Sequence, residues 1–115
     1  MDDIYFTLTA FSMFNGIKPF KLGSIVKLIK DRENGYDTEA IRVDLRYAGP
    51  SAYVANSVNT VVKGTMSAGR IYDKIMDEDY GIVKFIFKDA IICRLLSSDE
   101  LNQERKNLDS DVNFI

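Results

Sequence analysis

Residues 40–46 alternate without interruption: Ile41, Val43 and Leu45 point to one side, Arg42, Asp44 and Arg46 to the other. A period of two with apolar residues on one side dictates a strand with one buried and one wet face. Other short segments obey the same rule. Residues 4–11 put Ile4, Phe6, Leu8 and Ala10 on one face, and 24–29 form a second strand, expected to pair with 40–46 across the polar loop between them. Ala48-Gly49-Pro50-Ser51 reads as a turn, so 52–55 is expected to return antiparallel. Segments 82–87 and 90–95, joined near Lys88-Asp89, read as a hairpin. The order of elements predicts a β-rich domain, a strongly bent sheet or half-open barrel with a helix plugging one end.

That helix is expected over 57–64. Asn56 or Ser57 offers a capping oxygen, and Val58, Val61, Val62, Thr65, Ala68, Tyr72 and Ile75 recur at helical spacing. Gly64 and Gly69 each cost a helix about 1 kcal/mol relative to alanine, which predicts a bend between them. Asp77-Glu78-Asp79 reads as an acidic turn. Ser97 and Glu100 have the spacing of a capping box, so a terminal helix is expected to start there. Residues 1–106 are thus read as one domain and 107–115 as a frayed tail.

Composition narrows the function. A chain of 115 residues, 46% hydrophobic, suits one domain with a modest core. Its longest apolar run, Ala90-Ile91-Ile92-Cys93, is far too short to span a bilayer. The acidic start Met-Asp-Asp lacks the basic opening of a signal peptide, and a single cysteine excludes an internal disulfide. Both set the expectation of a reducing cytoplasm, with Cys93 a buried small hydrophobe. There is no histidine, which removes the commonest general base near neutral pH and the commonest metal ligand. No cofactor or metal motif is present: the stretch Gly64 to Arg70 lacks the G-x-x-x-x-G-K-[ST] order of a phosphate loop. A binding module is favoured over an enzyme acting through Asp37 or Lys63. The net charge of −2 is unevenly spread, ten basic against eight acidic residues over 1–75 and five against nine over 76–115. Any anion site is therefore expected in the first two thirds of the chain.

The loop after the second strand carries the sharpest signal. Residues 26–43 run as a strand, then Asn34-Gly35-Tyr36-Asp37, then Thr38-Glu39-Ala40-Ile41 and the next strand. With the aromatic-and-glycine loop Phe11-Ser12-Met13-Phe14-Asn15-Gly16 and the strand Ala52-Tyr53-Val54-Ala55, this resembles the HIRAN domain. Gly35 stands where that family usually has proline, and Ala52 where it usually has glycine. The resemblance implies a small OB-like or SH3-like β-barrel of about six strands with one or two short helices. In members fused to Snf-type DNA-dependent ATPases, it implies capture of the free 3′ end of single-stranded DNA.

Carried over by position, Tyr36 would lie against the terminal nucleotide and Asp37 would accept from the 3′ hydroxyl. Phe14 is the first choice for a second aromatic platform, with Phe11 and Met13 as alternatives, and Tyr53 is placed beside the pocket. Asn34 is read as a turn residue tolerant of positive φ. Lys63 and Arg70, with Thr65 and Ser67, are candidates for backbone phosphates, against the plainer reading of a helix break. Lys18, Lys21, Lys27 and Lys30 are read as solvated surface, with phosphate contact the alternative. The expected partner is single-stranded DNA, in repair or stress response. The competing expectation is a protein- or peptide-interaction module on the same barrel without DNA affinity.

Overall fold

The computed structural model describes residues 3–115. Six strands follow in order: β1 (Tyr5–Thr9), β2 (Ile25–Lys30), β3 (Ile41–Leu45), β4 (Gly49–Val54), β5 (Glu78–Ile86) and β6 (Ile91–Leu95). All neighbours are antiparallel in the order β1-β4-β3-β2-β5-β6, and β6 pairs back onto β1. The sheet is therefore a closed barrel rather than a half-open one, and closure removes the exposed strand edges. The alternation in β3 is the reason its register is unambiguous: Ile41, Val43 and Leu45 are buried, while Arg42 and Asp44 meet outside as an ion pair at 2.9 Å.

Of the acidic stretch expected to turn, Glu78 and Asp79 are instead strand, and only Asp77 lies before it. Glu78 opens β5 opposite Ile29, and its carboxylate lies 3.2 Å from Lys27 on β2, a cross-strand charge pair that favours pairing over turning. Further along β5, Gly81 faces the ring of Phe6. A Cβ there would stand 2.8 Å from Phe6 Cζ, so the fully buried phenylalanine needs a glycine across the barrel.

The helix expected over 57–64 does not form. Residues 56–66 cross the outer face of β1 as an irregular strap, with Val58 94% exposed and Gly64 at φ +94°. Thr60, Val61 and Val62 are β-branched and poor helix formers, and their neighbourhood satisfies its backbone in other ways. Val62 N–H donates to Thr7 Oγ1 at 3.2 Å, and the Thr7 and Thr65 hydroxyls lie 2.8 Å apart. The strap explains why Thr7 is fully buried although it points out of the barrel. Helix comes only afterwards, as α1 (Ala68–Ile71), capped by Ser67 Oγ and continued by a 3-10 turn over Tyr72–Lys74. Ala68, Ile71 and Ile75 enter the main core. Phe11 and Phe20 join that core from the β1–β2 connection, edge to face at 5.4 Å.

At the other end of β1, α2 (Ser98–Lys106) begins with the capping box that the Ser97/Glu100 spacing predicts. The segment expected to fray is packed. Val112 is buried with Ile25, Tyr80 and Leu96 in a second cluster on the outside of β2 and β5. Arg46 holds this segment through Asp111 at 3.2 Å and stacks over Phe114 at 3.7 Å. Isolated apolar residues in a polar run, Val112 and Ile115, supply the contact.

Candidate functional site

The β2–β3 loop is fixed by its own polar atoms. Asn34 Oδ1 accepts from the N–H groups of Tyr36 and Asp37 at 2.9 and 3.0 Å, and Asp37 Oδ1 accepts from Glu39 N–H at 2.9 Å. Asp31 N–H donates to the Ala40 carbonyl at 2.9 Å, closing the loop base. These are Asx turns, in which a short side chain replaces a backbone acceptor. Asn34 does this without the positive φ its residue type tolerates, and Gly35 likewise sits outside the left-handed region. The loop's turn chemistry therefore does not depend on a glycine at 35.

Two further bonds tie the loop to the barrel. Tyr53 on β4 donates its hydroxyl to Asp31 Oδ2 at 2.8 Å. Burial, and then this bond to a carboxylate, push the Tyr53 phenol above its ordinary pKa, so it stays a donor at neutral pH. Asn56 Nδ2 donates to Asp37 Oδ2 at 3.0 Å, while Asn56 Oδ1 accepts from Gly69 N–H at 2.8 Å. One asparagine thus couples the loop to the start of α1. The coupling is close: a Cβ on Gly69 would meet Glu39 Oε1 at 3.0 Å and Asn56 Oδ1 at 3.3 Å.

The result is a cleft of about 340 Å³ walled by Asn34, Tyr36, Asp37, Tyr53, Met13 and Asn56, with Thr9 and Ala10 as part of its floor. The Tyr36 ring is fully exposed, whereas Asp37 is half-buried. Of the residues the sequence nominates, Asn34, Tyr36, Asp37 and Tyr53 are brought together. Phe14 is not in the wall; it packs against Tyr53, ring centroids 6.0 Å apart, and Met13, 70% exposed, takes its place. Phe11 belongs to the core. Lys63 and Arg70 are exposed but do not line the cleft. Asn56 was legible only as a helix cap, because the partner that gives it a site role lies 19 residues away.

The electrostatics of this cleft are unusual for a site meant to meet an anion. Asp31, Glu33, Asp37 and Glu39 lie in or beside the loop, and its one cation, Arg32, is bonded to Asp77. Ionised carboxylates repel anions and accept from hydrogen-bond donors. A larger hollow of about 510 Å³ lies on the far side of Thr9 and Ala10, between Phe11, Ile17, Lys88 and Asp89. Of the residues the sequence nominates it holds only Phe11, the alternative aromatic platform, whose ring is packed into the core.

No family model, curated protein or solved structure matches this chain. Among the described residues no cluster of potential ligands is arranged to hold a metal ion, and no helix is long and apolar enough to cross a membrane.

Proposed function

We propose that the protein binds single-stranded DNA and receives its 3′-hydroxyl end in the Tyr36–Asp37 cleft. The observation that carries this reading is the convergence of an exposed ring and an anchored carboxylate in the wall of one cleft. The Tyr36 ring offers its face to an unstacked terminal base, a contact typically worth about 1–3 kcal/mol. Asp37 uses one bond on each oxygen, to Glu39 N–H and to Asn56, and an ionised carboxylate has lone pairs for more. A terminal hydroxyl can donate to it. A terminal phosphate cannot, and would be repelled by the acidic loop.

The rival reading, peptide docking, loses the strand-addition route on this fold, because among the described residues the closed barrel offers no strand edge. Fluorescence anisotropy with a labelled single strand tests the proposal. Tyr36→Ala should weaken binding roughly tenfold and Asp37→Ala should erase the preference for a hydroxyl end. Circular dichroism of Tyr36→Ala should stay that of the parent, since the ring touches no core. Variants that bind as tightly and as selectively as the parent would refute the assignment.

A further inference from the structure

The end of the barrel made by residues 10–24 and the β5–β6 hairpin differs from the rest of the surface. Phe85, Ile86 and Phe87 are 52, 37 and 55% exposed, and Leu22 is 68% exposed. Lys84 and Lys88 flank the three apolar residues of the hairpin, while Lys18 and Lys21 stand on the connection beside it. That adjacency is fixed by two backbone bonds, Gly23 N–H to the Val83 carbonyl and Val83 N–H to the Ser24 carbonyl, both 2.9 Å. All four lysines are exposed, and none forms an ion pair among the described residues.

Opposing charge is scarce here. Residues 10–24 contain no carboxylate, and the hairpin tip contains only Asp89. A chain of net charge −2 therefore gathers positive charge around exposed rings at one end. The remaining two lysines of the sequence-level group are occupied elsewhere: Lys27 pairs with Glu78, and Lys30 lies over the Tyr72 ring at 4.5 Å.

This end is continuous with the candidate site. The 510 Å³ hollow beside Lys88 and the 340 Å³ cleft beside Tyr36 share Thr9 and Ala10 in their walls. Ala10 forms the saddle between them and is held at φ +66°, a left-handed conformation that costs an alanine roughly 1–2 kcal/mol. Strain of this kind persists where the surroundings dictate the backbone path.

We propose that a single strand whose 3′ end occupies the Tyr36–Asp37 cleft crosses the Ala10 saddle and continues 5′-ward over the hairpin tip. Its phosphates meet Lys18, Lys21, Lys84 and Lys88, and its bases stack on Phe85 and Phe87. This rests on the reading of the cleft as a 3′-end site. Cations beside exposed rings match the phosphates and bases of a strand, the combination that holds single strands without reading sequence. An anionic bilayer is the other surface that exposed apolar residues with a basic collar would suit. Two hollows that adjoin at Thr9 and Ala10, one beside Lys88 and one beside Tyr36, favour the strand.

The test compares a very short single strand with one of about twelve nucleotides, inside the usual range for a barrel of this kind, both ending in a 3′ hydroxyl. The parent should bind the longer strand more tightly. The double variant Lys84→Ala/Lys88→Ala should lose most of that gain and keep both its affinity for the short strand and its hydroxyl preference. Its salt dependence on the long strand should flatten by about 0.7 in log–log slope per lysine. Phe85→Ala should weaken long-strand binding roughly fivefold with an unchanged melting temperature. If the double variant binds the long strand like the parent, the path is wrong while the cleft assignment stands. If it instead loses binding to phosphatidylcholine/phosphatidylserine vesicles with no change on DNA, the tip is a bilayer surface and the proposal falls. Absence of any oligonucleotide binding by the parent overturns the cleft reading itself.

Discussion

The β2–β3 loop and the β5–β6 tip lie on either side of the same saddle and are built in opposite ways. The loop is acidic and locked: its carboxylates and amides are spent on Asx turns, on Tyr53 and on Asn56. The tip is basic, its lysines form no ion pair among the described residues, and a bond from Phe87 N–H to the Ala90 carbonyl at 2.8 Å closes its turn. A locked polar loop suits discrimination, because its donors and acceptors need no reordering when a ligand arrives. Exposed lysines suit attraction, which is long-ranged, salt-sensitive and indifferent to detail. The contrast explains how a domain of negative net charge can be read as a DNA-binding one. In the proposed account, affinity comes from the tip and end selectivity from the loop.

Breaking the loop alone should have the largest effect. Asn56→Ala removes the donor to Asp37 and the acceptor for Gly69 N–H, and should lower stability by about 1–2 kcal/mol. Chemical denaturation would measure that loss. The same variant should lose selectivity for a hydroxyl end while its salt dependence stays that of the parent. A variant that keeps its selectivity would mean that Asp37 holds its position without Asn56.

A second test uses a part of the molecule that belongs to neither region. Near the start of β1, Arg94 grips both oxygens of Glu100 at 2.7 Å, and Ser97 adds the capping-box bonds. Arg94, then the Ser97 backbone, lower the Glu100 carboxyl from its ordinary 4.5 to about 2. A depressed folded-state pKa contributes stability that is fully present above the unfolded value and disappears as pH falls through the folded one. The parent should therefore lose stability between about pH 4.5 and 2, by about 1 kcal/mol at most, because the pair is partly screened by solvent. Glu100→Gln should lack this component of the acid loss in denaturation curves taken across that range. Oligonucleotide binding at neutral pH should be the same in both proteins.

The smallest change sits at the saddle. Ala10→Gly relieves the left-handed backbone but loosens the unfolded chain, so the net gain should be only about 0.5 kcal/mol. If the saddle guides the strand, this variant should be slightly more stable and bind the long strand slightly less well. A destabilised variant would show that the Ala10 methyl is needed for packing.

How far these features could be read in advance depends on the range of the interactions behind them. Local rules worked where they apply: the alternation of Ile41, Val43 and Leu45, the Ser97/Glu100 capping box, and the burial of Cys93, whose thiol pKa is pushed up by that burial. They failed where a distant partner decides. Val58, Val61 and Val62 have helical spacing, yet the Thr7 and Thr65 hydroxyls draw that segment across β1 as a strap. Val112 looked like part of a polar tail until β2 and β5 supplied a surface for it. At the site, Asn34, Tyr36 and Asp37 were legible as one short motif, Tyr53 and, as an alternative to Phe14, Met13 through the two neighbouring stretches, while Asn56 was not, because its partner Asp37 lies 19 residues away. The tip was invisible for another reason: Phe85 and Phe87 in a strand look the same in sequence whether they face the core or water.

The division of labour between loop and tip is tested most directly by anisotropy of the parent protein with two strands identical except for a 3′ hydroxyl or a 3′ phosphate. The account predicts clearly tighter binding of the hydroxyl strand, with similar salt slopes for both, since the tip meets the same internal phosphates in each. Equal affinity for the two ends would contradict it, leaving Asp37 a turn residue and the loop no part in recognition.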